Sequence, residues 1–157
     1  MVAFLRVSAN LRPPDGIVKE LSSQVSWCDM LATHKLKTVI KSAVVDGVDG
    51  VCLMTTEGSL LLGSAKETEN GVTETGLAAI ASSVWSNYCQ GSPDVSFHLL
   101  KLEGGSLAIA PTGKGYLIAA YGGEDVTPGL LRGKIEALRS YFNRAFDSIS
   151  NHFQVDR

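Results

Sequence analysis

Six glycines and one lysine crowd residues 102–123, LEGGSLAIAPTGKGYLIAAYGG, and such a stretch can do one recognisable piece of chemistry. Backbone amides freed by glycine can cradle a phosphate, provided the loop opens a helix and a lysine reaches the anion. The pattern for that purpose is Gly-x-x-x-x-Gly-Lys-Ser/Thr. Here Lys114 follows Gly113, but Ala108 stands where the first glycine belongs and Gly115 where the magnesium-binding hydroxyl belongs. The residues that follow, YLIAAY, form a β-type run and offer no helix N-terminus. A phosphate cradle is therefore excluded on three counts, and the glycines read as corners between strands.

Other chemistry fares no better. A thiol nucleophile would need Cys28, Cys52 or Cys89 beside His34, His98 or His152 with a third orienting group, and no spacing brings such a set together. Three separated cysteines without a Cys-x-x-Cys pair fit a reducing compartment and give neither a disulfide framework nor a zinc site. The isolated histidines assemble no metal site. The acids of KETE and of Glu124–Asp125 read as solvated charges and a helix-dipole partner, so no catalytic residue, metal or cofactor is expected.

What must then position the surface is the whole domain. A chain of 157 residues holds one core, and its formal charge of −2 without a basic run leaves no footprint for nucleic acid or an acidic bilayer. No apolar run reaches the roughly 20 residues of a membrane span. Residues 1–14 carry two arginines and no acid but lack the repeat of a transit peptide, and Val2 removes the glycine needed for myristoylation.

Residues 1–29, broken by Pro13, Pro14 and Gly16, read as an extension outside a domain spanning 30–150, with 151–157 a tail. Leu31, Leu36, Val39, Ile40, Ala43 and Val44 share one face of a first helix, which Gly47 ends. GVCLMTTEGSLLLGS reads as a hairpin turning at Gly58. A middle helix over 73–90 starts at the cap Thr73, faces inward with Leu77, Ile80, Ala81, Val84 and Tyr88, and stops at Gly91 and Pro93. Three strands follow: VSFHLLKL, SLAIA and YLIAAY. Gly104 and Gly105 turn the first hairpin, Pro111, Gly113 and Gly115 the second, and Gly122 and Gly123 release the chain.

The last helix opens at Thr127–Pro128 and carries Leu131, Ile135, Leu138, Phe142, Ala145 and Ile149 to about residue 150. Turns this short require antiparallel pairing, and strands apolar on both faces require cover on both. The class is α+β, a sheet sandwiched between helices. Beside its inward stripe the middle helix has a second one, Ala78, Ser82, Trp85 and Cys89, at steps of four, three and four. Either that stripe meets a partner, or Trp85 closes the edge of the core.

Taken in order, MTTEGSLLLGS, AAIASSVW and LLRGKIEALRSYF make the chain, from about Met30 onward, resemble the roadblock/LC7 family. More narrowly it is similar to the roadblock subunits of Ragulator-type complexes, late endosomal and lysosomal adaptors of MAP kinase and TOR signalling. The resemblance implies a five-stranded antiparallel sheet with the middle helix on one face and the first and last helices on the other. It also implies pairing with another roadblock protein, as a homo- or heterodimer, by joining edge strands and packing middle helices. Mapped here, that surface is Val95, Phe97 and Leu99 with Ala78, Ser82, Trp85 and Cys89.

The resemblance further implies no catalysis and no cofactor. Such dimers dock Rag-type small GTPases, and a lipidated adaptor subunit holds them at the membrane, so the chain is expected to be cytoplasmic and peripheral there. The family's other expectation is a dynein light chain or a homodimeric GTPase regulator. From a different class, a nucleotide-dependent enzyme would have to use Lys114. Residues 1–29 have no counterpart in the resemblance, which leaves Met30 as an alternative start.

Overall fold

The computed structural model describes residues 34–66, 71–89 and 95–154. In chain order these form α1 (34–43), β1 (Val48–Thr55), β2 (Leu60–Ala65), α2 (Glu74–Cys89), β3 (His98–Leu102), β4 (Gly105–Thr112), β5 (Tyr116–Gly123) and α3 (Pro128–Gln154). Leu31, Gly91 and Pro93 lie outside the described residues. The strands make one antiparallel sheet in the order β2-β1-β5-β4-β3, so the two longest-range neighbours, β1 and β5, sit at its centre.

Each boundary has a local cause. Asp46 and Gly47, both at positive φ, end the approach from α1 and turn the chain into β1. Gly58 at φ +92° turns the β1–β2 hairpin as expected, and a Cβ there would fall 2.6 Å from Ser82 Oγ, so this turn also lies tight against α2. Thr73 caps α2, its Oγ1 accepting the Gly76 amide at 3.1 Å. Thr127 Oγ1 accepts the Leu130 amide at the start of α3, with Pro128 in the first turn where its missing N–H costs nothing.

Four glycine and proline assignments need correction. Gly105 lies within β4, paired with Leu102 and Gly123, and Gly122 lies within β5, paired with Ser106 and Val48. Pro111 is likewise inside β4, opposite Leu117, and Gly123 inside β5. At Gly105 glycine serves close approach: a Cβ would stand 2.3 Å from the Gly122 carbonyl oxygen and 2.6 Å from the Tyr121 hydroxyl. Tyr121 uses that room to donate to the Gly104 carbonyl at 3.0 Å. The strand expected over 95–102 is shorter, since Val95, Ser96 and Phe97 precede β3, and α3 runs beyond residue 150 to Gln154.

Two cores result, one on each face, which accounts for strands apolar on both sides. Ile40, Val48, Leu53, Ile118, Leu131, Ile135 and Phe142 fill the layer under α1 and α3. Cys52, Met54, Leu77, Ala81, Leu107, Ile109 and Leu117 fill the layer under α2. Ala108, Ala110 and Ala120 are the small residues on which α1 and α3 settle, while Ala119 serves α2. The middle helix on one face and the outer two on the other is the arrangement the resemblance implied.

Candidate protein-interaction surface

The glycine-rich loop does structural work. Gly113–Gly115 form a single 3-10 turn between β4 and β5, and the Gly113 amide donates to Asn143 Oδ1 of α3 at 2.7 Å. An amide committed to a side chain is not offered to a phosphate. Among the described residues, no group of three or more His, Cys, Asp and Glu could hold a metal. No helix of the described residues is long and apolar enough to cross a membrane.

Cys52 is fully buried at the centre of β1. Burial pushes its thiol up to about 12 from an ordinary 9.0; the Ala119 amide pulls the other way and the Glu74 carboxylate adds a little. A thiol held protonated is a poor nucleophile. It also ties stability to pH with a definite sign. Below the unfolded value both states are neutral and the contribution is complete. As pH rises above that value the unfolded chain ionises while the folded one does not, so stability falls through the interval up to the folded value. Going from about pH 8 to about pH 10 should remove ~1.4 kcal/mol that a Cys52→Ala variant does not lose, read from urea midpoints. Parallel pH slopes for the two proteins would refute this.

What remains is surface. Strand β3 is the last in the sheet, and among the described residues nothing pairs with its outer edge. Helix α2 lies over β1, β2 and β5 and barely meets β4, so the β3 side of that face is left uncovered. There Leu77, Ile80, Leu102, Leu107 and Tyr121 line a groove of about 220 Å³. At its other end Trp85 meets the His98 ring edge-on, with centroids 6.2 Å apart at 87°, and Tyr88 tilts against the same imidazole at 6.2 Å. Ile80 is 51% exposed and Tyr88 68%. A continuous apolar ridge thus runs beside an open ladder of backbone donors and acceptors, a combination that invites another chain.

The expected interface residues distribute unevenly over this surface. Ala78 and Ser82 are buried by the chain itself, Ser82 beneath the Gly58 turn, so the stripe assigned outward points inward at this end. Conversely Ile80 and Tyr88, assigned inward, stand outside. Trp85 is partly buried on the edge of the α2 core and also faces β3. Cys89 is the last residue of α2. Val95 is half-buried ahead of β3. Phe97 belongs to the opposite face, packed on the α3 core with the Arg132 guanidinium 5.6 Å from its ring. Leu99, 39% exposed, pairs with Ala108 and so projects from β3 on the same face as Phe97, away from α2. Steps of four from Ile80 through Val84 to Tyr88 carried the missing signal, but a helix apolar on most of its circumference gives no unique inward direction.

Solved structures share this fold. Myxococcus xanthus MglB superposes with a TM-score of 0.62 at 18% identity, over 74% of this chain and 90% of that one. The roadblock/LC7 domain from Streptomyces avermitilis gives 0.55 at 17% identity, over 70% and 96%. The chain is a roadblock/LC7-fold protein. No family model matches it. By sequence it is similar to the Ragulator complex protein LAMTOR2 homolog of Caenorhabditis elegans, 28% identical over 122 residues, covering 78% of this chain and 98% of that protein.

Proposed function

We propose that this roadblock protein is a non-catalytic adaptor subunit of a Ragulator-like assembly, paired with a second roadblock protein through β3 and α2. The observation that carries the reading is the uncovered strip between the outer edge of β3 and the ridge of Ile80, Trp85 and Tyr88. A second α2 laid beside the first would fill it while the partner's β3 continued the sheet, so backbone bonding and apolar burial would be gained together. The likeness to a Ragulator subunit over nearly all of that protein's length supports the choice of assembly.

In this reading Rag-type small GTPases dock on the paired domains, and a lipidated companion subunit brings them to late endosomal and lysosomal membranes, where TOR and MAP kinase signalling converge. The chain contributes shape and contacts, not chemistry. The deciding experiment is affinity purification of the full chain from its native cells followed by mass spectrometry. Recovery of a second roadblock protein, a lipidated adaptor and Rag-type GTPases is expected. Recovery of dynein intermediate chain in their place, or of the chain alone as a copy of itself, would overturn the assignment.

A further inference from the structure

We propose that the face formed by α1 and α3 is a docking surface for an acidic amphipathic helix of another protein, seated in the groove between those two helices. The groove has a volume of about 380 Å³; Val39 and Ala43 of α1 and Ala137 and Tyr141 of α3 are in its walls, with Lys134 and Arg144 toward its ends. From Lys134 to Arg144 the lining extends about 15 Å along α3, the length of roughly three helical turns. Grooves of this kind accept a helix whose apolar residues recur at i, i+3 or i+4, and i+7.

Charge selects the occupant. The described parts of α1 and α3 hold seven of the chain's fourteen Lys and Arg but two of its sixteen Asp and Glu, Glu136 and Asp147, although the whole chain is net negative. Arg132 is already paired with Glu136 at 2.9 Å. Lys134 reaches Asp46 at 3.2 Å and the Ala43 and Val45 carbonyls at 3.3 and 3.1 Å. Arg139 donates to the Ser96 carbonyl and Arg132 lies over Phe97, both on the flank of α3 away from α1, so the cations at the groove itself are Lys35, Lys134 and Arg144. Among the described residues no carboxylate lies within ion-pair distance of Lys35, Lys37, Lys41 or Arg144; Arg144 Nε donates to the Ser140 carbonyl of its own helix at 3.3 Å, and Asp147, three residues on, is exposed. Lys35 stands four residues before Val39, on the groove side of α1. A basic face on an acidic protein steers negatively charged partners and leaves its unpaired cations to be satisfied by them.

A bilayer fits this face less well. Membrane-seated helices project their apolar residues, whereas Leu138 here is buried in the groove floor and Val39 and Tyr141 are half-buried. The face lies across the sheet from the proposed pairing surface, so both can be occupied together and neither reading depends on the other.

The test is a selection of random displayed peptides, long enough for four helical turns, against the intact chain. Enriched peptides should be net negative with apolar residues at helical spacing. They should bind a Lys35→Glu/Arg144→Glu variant at least about tenfold more weakly, and weaken with salt. A Lys101→Glu variant, which changes charge on β3, should bind as the parent does. Enrichment of neutral or basic peptides, or equal binding by the groove variant, would overturn the proposal. So would an empty selection combined with Arg144-dependent sedimentation on phosphatidylserine vesicles, which would make the face a membrane contact. Cross-linking of the groove to the chain's own residues 1–33 would overturn it in favour of an internal occupant.

Discussion

Phe142→Ala is expected to lower the stability of the folded chain by about 3–5 kcal/mol, a large share of the 5–15 kcal/mol that a typical domain has. Phe142 is completely buried where α3 crosses the sheet, and it belongs to an aromatic run that ties the second half of α3 down. Its ring lies 6.1 Å from Phe146, which lies 5.0 Å from Tyr116 at the start of β5. Asn143, the next residue, holds the Gly113 amide. Truncation removes apolar burial, leaves a cavity bounded by a rigid sheet, and loosens the helix that orders the β4–β5 loop. Urea unfolding followed by circular dichroism should show the midpoint falling with the slope unchanged. A loss below about 1 kcal/mol would mean that α3 is not seated on the sheet as described.

The same residue shows why so much of the fold could be read from sequence. Leu131, Ile135, Leu138 and Phe142 repeat in steps of three and four on a helix whose other side carries Arg132, Glu136 and Arg144, and all four are buried. Only one rotation of that helix hides the apolar residues and keeps the charges wet. The hairpin at Gly58 and the caps Thr73 and Thr127 were equally local, each a residue type answering a single backbone demand.

What stayed hidden depended on neighbours. Helix α2 has Leu77, Ala78, Ile80, Ala81, Val84 and Trp85 around most of its circumference, so its sequence fits several rotations. The one adopted places Ala78 and Ala81 on the sheet, where their small size permits close approach, and Ser82 under the hairpin turn. That choice leaves Ile80 exposed on the flank of the helix, while Tyr88, in line with Leu77 and Ala81 but in the last turn, is exposed beside His98. The glycines of β4 and β5 were misread for a similar reason. Gly105 is explained by the Tyr121 ring and the Gly122 carbonyl, both distant in sequence, and a local reading sees only another turn residue. The strip beside β3 emerges only when strand order puts β3 last and α2 off to one side.

That strip sets the second large effect. A Tyr88→Asp/Leu99→Asp variant is expected to dissociate the proposed pair while leaving each subunit folded. Tyr88 and Leu99 are 68% and 39% exposed in the single chain, so the carboxylates remain hydrated when it is alone. In a joined pair the carboxylate at 88 would be enclosed against the partner's α2 and that at 99, on the other face of β3, against the partner's continued sheet, neither with a cationic partner, and contacts of this kind cost about 2 kcal/mol or more each when lost. Together the two changes should weaken association by roughly a thousandfold. Phe97→Asp would be a poorer probe, because Phe97 packs inside the subunit under Arg132 and its loss strikes the fold as well. Leu61→Asp on β2, the opposite edge, is the matched control, since Leu61 is 46% exposed and lies away from the strip. Sedimentation equilibrium over a range of concentrations separates the outcomes, with circular dichroism confirming that each variant is folded. If Leu61→Asp dissociates the pair and the Tyr88/Leu99 variant does not, the sheet is extended through β2, and the α2 ridge must be assigned another role.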